Sequence, residues 1–183
     1  MQTALNDHQE LFDRYDKTSL AINLSAKELS EFTFRNTLRE SISNSPLMAK
    51  RLMFELTETE LYSSRSSVSR NLLLLRGLGA RLSIDDYGTG LSNAARLTTA
   101  PFDEVKLDQS FTKRALSSGE NAIVRSTAQI AKSYNMHTVA EGVETQEILD
   151  CVKELNIDQV QGYLLHKPQS FEELMNSKML QLT

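Results

Sequence analysis

Twelve residues, Arg81–Ser92 (RLSIDDYGTGLS), constrain the fold of this chain more than any other stretch. Leu82 and Ile84 alternate with Ser83 and Asp85, the period of a strand with one apolar and one polar face. The strand then meets two consecutive carboxylates, Asp85 and Asp86, and Gly88-Thr-Gly90, a turn that no strand continues through. Hard cations such as Mg²⁺ take carboxylate oxygens, so a doublet at a strand end suits a divalent metal. Asp-Asp-x-Gly serves equally well as turn chemistry, its side chains bonding nearby amides. The rest of the chain has to decide between the two.

At 183 residues there is room for one good core but not for two ordinary domains, so residues 1–183 read as a single domain. The formal net charge is −4, and Lys and Arg form no block. That excludes a duplex nucleic-acid surface, though not a local basic site for one nucleotide. Cys151 stands alone, which rules out an internal disulfide and fits a reducing compartment. No run of 18 apolar residues occurs, and residues 1–16 are too charged for a signal peptide. The expectation is a cytoplasmic chain with no membrane segment.

Periodicity predicts strands followed by helices, repeated six times. Residues 1–16 read as a helix with Leu5, Leu11 and Phe12 inward, followed by a strand over 19–25 and a helix over 26–42. A strand over 51–58 follows, with Leu52, Phe54 and Leu56 opposite Met53, Glu55 and Thr57, and then a helix over 66–78 stopped by Gly79. After the strand at 81–86 come a short helix at 93–97, a strand at 104–108 and a helix at 121–134 built on Ile123, Val124 and Ile130. The chain ends with a strand at 137–144, a helix capped by Thr145, a strand at 159–165 and a helix opened by the Ser170–Glu173 capping box. This order means parallel βαβ units with helices covering a sheet.

Five of these strands end in a polar or charged residue: Asn23, Glu55, Asp85, Lys106 and Glu141, with Gln161 a weaker sixth. Any one of them could be a satisfied core group or a surface residue. In a parallel barrel, however, strand ends of one polarity meet at one face, and that face carries the chemistry. Four acids, counting Asp86, with an amide and a lysine suit metal-assisted attack on a phosphoester. There is no P-loop, nucleophile elbow or HExxH, and His8, His137 and His166 form no ligand set.

Laid out in this order, the chain resembles the bacterial EAL-domain family of cyclic di-GMP phosphodiesterases. The motifs are Asn23-Leu-Ser, Glu55-Leu-Thr-Glu58, Asp85-Asp-Tyr-Gly-Thr-Gly90, Lys106-Leu-Asp108, Glu141-Gly-Val-Glu144 and Gln161-Gly-Tyr163. The resemblance implies a TIM-like (β/α) barrel whose strand ends hold two Mg²⁺ or Mn²⁺ ions and hydrolyse cyclic di-GMP to linear pGpG. Asn23, Glu55 and Asp85 would ligate one ion; Asp85 and Asp86, with Glu141 as a further candidate, would serve the other. Glu141 matches the general base and Lys106 the cation near the attacked phosphate. Glu58 matches the glutamate that steadies the loop after Asp86. Asp108, Glu144 and Gln161 fall at substrate-binding or loop-stabilising positions.

The family is named for a Glu-x-Leu motif on an early strand, and nothing before Asn23 matches it. The expectation is therefore an incomplete barrel, about six of eight strands, with impaired activity. Tyr87 replaces a usual Phe, and Leu91 and Asn93 depart from a usual Tyr-Ser-Ser. An alternative of another class is a non-catalytic module binding cyclic di-GMP or a protein partner. A homodimer, or an upstream sensory or GGDEF-type domain, is the further partner expected. An unclosed sheet should pair its edges with another copy, exchange a segment, or pack the first helix over the gap.

Overall fold

Leu52, Phe54 and Leu56 are fully buried on one face of strand β2 (Leu52–Thr57), while Glu55 on the other face lines an interior cavity. The same alternation runs through β1 (Leu20–Asn23), β3 (Arg81–Tyr87), β4 (Glu104–Leu107), β5 (His137–Ala140) and β6 (Gln159–Val160). The structure, a computed structural model, describes residues 11, 12, 14, 15, 18–31, 36, 39, 40, 49–63, 66–88, 102–117, 119 and 121–177. Within these, the six strands form one parallel sheet in sequential order, β1 to β6. Sequential parallel order with helical crossovers is that of a TIM-like barrel wall, as expected, and six strands are present.

The apolar face packs under helices α1 (Ala26–Ser30), α2 (Glu58–Ser63), α3 (Ser66–Gly77), α4 (Gln109–Arg114), α5 (Asn121–Ser133) and α6 (Gln146–Glu154), while α7 (Phe171–Asn176) follows the sheet and buries no residue in this core. Ser25 caps α1, Asp108 caps α4, Thr145 caps α6, and Ser170 forms the predicted capping box with Glu173. Gly79, at φ +97°, ends the segment after α3. Leu11 and Phe12 are buried as expected; Leu5 lies outside the described residues.

Several predicted elements differ. The helix expected over 26–42 is interrupted at Glu31, where the backbone turns extended after a single capped turn and a half. The strand expected over 137–144 stops at Ala140, because Gly142 adopts φ +65° and the chain leaves the sheet. Of 159–165 only Gln159–Val160 pairs, and residues 163–165 form a turn. Helix α5 faces the core with Val124, Thr127, Ala128 and Ala131, so Ile123, expected inward, is 54% exposed. Helices α2 and α4 follow their strands too closely for a periodicity argument to find them. The helix expected at 93–97 lies outside the described residues.

At the strand starts, side chains clamp alternate interfaces. The Arg51 guanidinium donates to Thr18 O (2.7 Å), Phe12 O (3.0 Å) and Tyr15 O, tying the entry of β1 to that of β2. Asp103 Oδ2 accepts from the Leu82 amide at 2.9 Å, joining β3 to β4. Asp158 Oδ2 accepts from Thr138 N and Oγ1, both at 2.8 Å, joining β5 to β6.

Candidate active site

Lys106 sits near the end of β4, pointing inward between the outward Val105 and Leu107, and its ammonium is where three strands converge. Nζ donates to Glu141 Oε1 at 2.7 Å, Asp85 Oδ1 at 2.9 Å and Glu55 Oε2 at 3.3 Å. Burial alone would push the lysine pKa down. Hydrogen bonds to Glu141 and Asp85, with the charges of Glu55 and Glu141, outweigh it and hold Lys106 well above its ordinary value.

The acids are held less comfortably. Burial raises Glu55, Lys106 pulls it back, and Asp85 and Glu104 push it up again. Glu141 is likewise raised by burial, lowered by its bond to Lys106, and raised by Asp85 and Asp86. Asp86 is raised by burial, then by the charges of Asp85 and Asp108. The site carries more negative charge than its lysine neutralises.

Asp85, Asp86 and Glu141 offer carboxylate oxygens that all lie within 4.8 Å of one another. Hard oxygen donors with surplus negative charge fit a divalent cation of the Mg²⁺ or Mn²⁺ type. Asp86 reaches this position through a left-handed backbone, φ +54°, with its amide donating to Asp85 Oδ1 at 3.1 Å. Asn23, exposed at the end of β1, is the register partner of Glu55.

The four further predicted residues fall at different distances from this centre. Glu58 is buried at the start of α2, and its Oε2 accepts from the Gly88 amide at 3.4 Å, just beyond Asp86. Asp108 accepts from Ser110 N at 2.8 Å as the α4 cap. Glu144 is exposed and pairs with Lys113 at 3.3 Å, away from the cluster. Gln161 donates its backbone N–H to Ala140 O (2.8 Å), accepts on its backbone carbonyl from Val143 N (3.1 Å), and lines a cavity of about 380 Å³ shared with Glu55, Glu104 and Lys106. Tyr87 is buried in the core, while Leu91 and Asn93 lie outside the described residues. Sequence reasoning missed Glu104 and Ser83, a buried pair beneath Lys106. Both share the alternation phase of site residues two positions on, Lys106 and Asp85, and that phase was the available signal.

A parallel barrel wall whose strand ends gather three carboxylates on one lysine, with Asp86 beside them, defines a class of α/β-barrel proteins with an acidic centre. The chain belongs to the EAL domain family, whose profile matches residues 1–168. It is 32% identical over 171 residues to the cyclic di-GMP phosphodiesterase PdeA of Borreliella burgdorferi, covering 92% of this chain and 25% of PdeA. The MucR phosphodiesterase, solved with cyclic di-GMP, superposes with a TM-score of 0.84 at 29% identity, covering 94% of this chain and 70% of that one. BlrP1 of Klebsiella pneumoniae, solved with manganese and cyclic di-GMP, gives 0.79 at 31% identity over 88% of this chain and 41% of its own. The chain thus spans about a quarter of PdeA's length. Among the described residues no helix is long and apolar enough to cross a membrane.

Proposed function

We propose that this chain hydrolyses one 3′–5′ phosphodiester of cyclic di-GMP to linear pGpG at the strand-end site, with two divalent ions, Mg²⁺ or Mn²⁺. The observation that carries the reading is the convergence of Glu55, Asp85 and Glu141 on Lys106, beside the Asp85–Asp86–Glu141 oxygen cluster. Asn23, Glu55 and Asp85 would hold one ion, and Asp85, Asp86 and Glu141 the other. Ions so bound lower the pKa of water and neutralise phosphate charge. Glu141, its proton affinity raised by burial, takes the proton of the attacking water. The P–O3′ bond breaks and leaves a 5′-phosphate. Lys106, kept charged, offers its ammonium to the phosphate oxygens, and Glu58 steadies the loop after Asp86 through Gly88. Asp108, Glu144 and Gln161 belong to the rim.

The reading carries a cytoplasmic location, with a homodimer or an adjoining sensory or GGDEF-type domain as partner. Turnover is low, since nothing in the chain matches the Glu-x-Leu glutamate. That same feature favours a second reading, a module that binds cyclic di-GMP without cleaving it. The test is pGpG formation and cyclic di-GMP binding by wild type and Glu141→Gln in Mn²⁺. Product that the variant loses supports hydrolysis. Binding without product from either supports the module, and neither binding nor product sinks both.

A further inference from the structure

Glu104 is the interior charge that the proposed chemistry leaves unused. It stands two residues before Lys106 on β4, on the same inner face, and is only 8% exposed. One row across the sheet carries Asn23, Glu55, Ser83, Glu104 and His137. Ser83 therefore stands between two carboxylates, Glu55 on β2 and Glu104 on β4. Neighbouring strands lie about 4.8 Å apart, so a serine hydroxyl in the middle can serve either side. It has one proton to donate. That proton goes to Glu104: Ser83 Oγ lies 3.0 Å from Glu104 Oε1, and Ser83 is 0% exposed. Glu55 instead turns Oε2 up to Lys106 at 3.3 Å.

We propose that Glu104 is a positioning residue that keeps the Glu55 carboxylate turned towards Lys106 and the metal-binding end of the barrel, by occupying the Ser83 proton and repelling Glu55 along the row they share. The inference rests on the reading of Glu55 as a metal ligand. Two effects act together. Glu104 is near enough for its charge to act on Glu55, so a carboxylate turned along the row towards Ser83 meets a like charge. Ser83, already committed, offers Glu55 no competing hydrogen bond. Stability does not account for Glu104, because a buried carboxylate costs several kcal/mol and one neutral hydroxyl is thin compensation. Its place beside Glu55 and Lys106 on the cavity wall does.

The test is a double-mutant cycle read by Mn²⁺ titration of the whole chain: wild type, Glu104→Met, Ser83→Ala and the double variant. With Ser83 present, Glu104→Met leaves the Ser83 hydroxyl without its acceptor and frees the proton for Glu55, and Mn²⁺ affinity falls about tenfold, the scale of losses around metal ligands. In the Ser83→Ala background no proton competes, and the same substitution costs less than about threefold. Equal losses in both backgrounds mean that Glu104 acts only as bulk negative charge, and they overturn the proposal. So does no loss in either. Should Glu104→Met not fold, Glu104→Asp carries the same cycle, since a shorter carboxylate also releases Ser83. Wild type that binds no Mn²⁺, or a Glu55→Gln variant that binds it as wild type does, overturns the metal reading and this inference with it.

Discussion

The Lys106 ammonium lies 2.7 Å from Glu141 Oε1, and it reaches back across the barrel to Asp85 and Glu55 on β3 and β2. One cation thus ties together acids from the second, third and fifth strands. Lys106→Met leaves these acids buried without a counter-charge. Removing one partner of a buried pair costs about 3–5 kcal/mol, so a loss near the bottom of that range is expected at pH 7 without metal. Glu55, Asp86 and Glu141 have folded-state pKa values raised above their unfolded ones. Their contributions are therefore most favourable below the unfolded carboxylate range and are lost as pH rises through the folded values. The raised Lys106 contribution is complete below the unfolded lysine pKa and is lost only in alkali. Urea denaturation of both forms in chelator, at neutral pH and near pH 4, should show the gap between them narrowing in acid. A constant gap would argue against the cluster as the source of the loss.

Metal binding can be separated from folding at Asp85. Its oxygen belongs to the close Asp85–Asp86–Glu141 set and to the Lys106 network. Asp85→Asn should weaken Mn²⁺ binding by at least about tenfold. Indistinguishable titrations of variant and wild type would count heavily against the site.

Gly142 is the point at which the chain leaves β5 and aims Glu141 at Lys106. Its φ is +65°, and a Cβ there would overlap the side chain of Gln109 at the start of α4. Left-handed backbone costs a residue with a Cβ about 1–2 kcal/mol, and the overlap adds to it. Gly142→Ala should lower stability by about 2 kcal/mol or more and displace Glu141, measurable as a denaturation midpoint and as a weakened metal titration. A variant of wild-type stability would mean that this turn relaxes freely.

Most of the site was legible because its residues obey strand alternation. Asn23, Glu55, Asp85 and Lys106 lie on the polar phase of strands whose other phase is Leu, Ile, Phe and Val. Glu104 and Ser83 were on the same phase, level with Glu55 and two residues before Lys106 and Asp85, where a polar residue looks like surface until the opposite face is known to be interior. Element ends were less legible, for reasons of backbone rather than pattern. Glu31 turns extended and Gly142 left-handed, and neither leaves a mark on hydrophobic periodicity. Ile123 misled because it lies off the Val124, Thr127, Ala128 and Ala131 stripe, on a face of α5 that turns to solvent. Glu144 carried a motif position, yet its ion pair with Lys113 ties α4 to the following loop.

The clamp at Arg51 predicts local rather than global weakness. Its guanidinium stacks 4.0 Å from the Phe12 ring centroid and donates to three carbonyls around the entry of β1. Lysine cannot reproduce a planar fork of donors. Arg51→Lys should expose the amides around Tyr15 and Thr18 to hydrogen exchange, at a cost of about 1–3 kcal/mol for buried groups left unbonded. Exchange in β3 to β5 should stay as in wild type. Uniform acceleration across the sheet would show that the clamp supports the whole fold.

The free edges of the sheet bear most directly on activity. Among the described residues β1 and β6 each pair on one side only, and Ala21, Asn23 and Gln159 on them, with Gln161 just after β6, are exposed where Met53, Lys106 and Val139 are buried. Eight strands close a TIM-like barrel, and open parallel edges recruit further strands. We expect a chain extended by strands bearing the Glu-x-Leu glutamate to gain a carboxylate ligand and a closed wall together. Losing even an outer partner of a metal ligand costs about 10–100-fold, and each tenfold is about 1.4 kcal/mol of barrier. Extension should therefore raise pGpG formation at least tenfold, and the chain alone should associate through its edges, visible as a dimer in light scattering. The comparison is the chain alone, the extended chain, and the extended chain carrying Glu141→Gln. Equal rates for the first two would mean that another residue already supplies the missing ligand. An extended chain that binds cyclic di-GMP yet stays inert would favour the binding module over the enzyme.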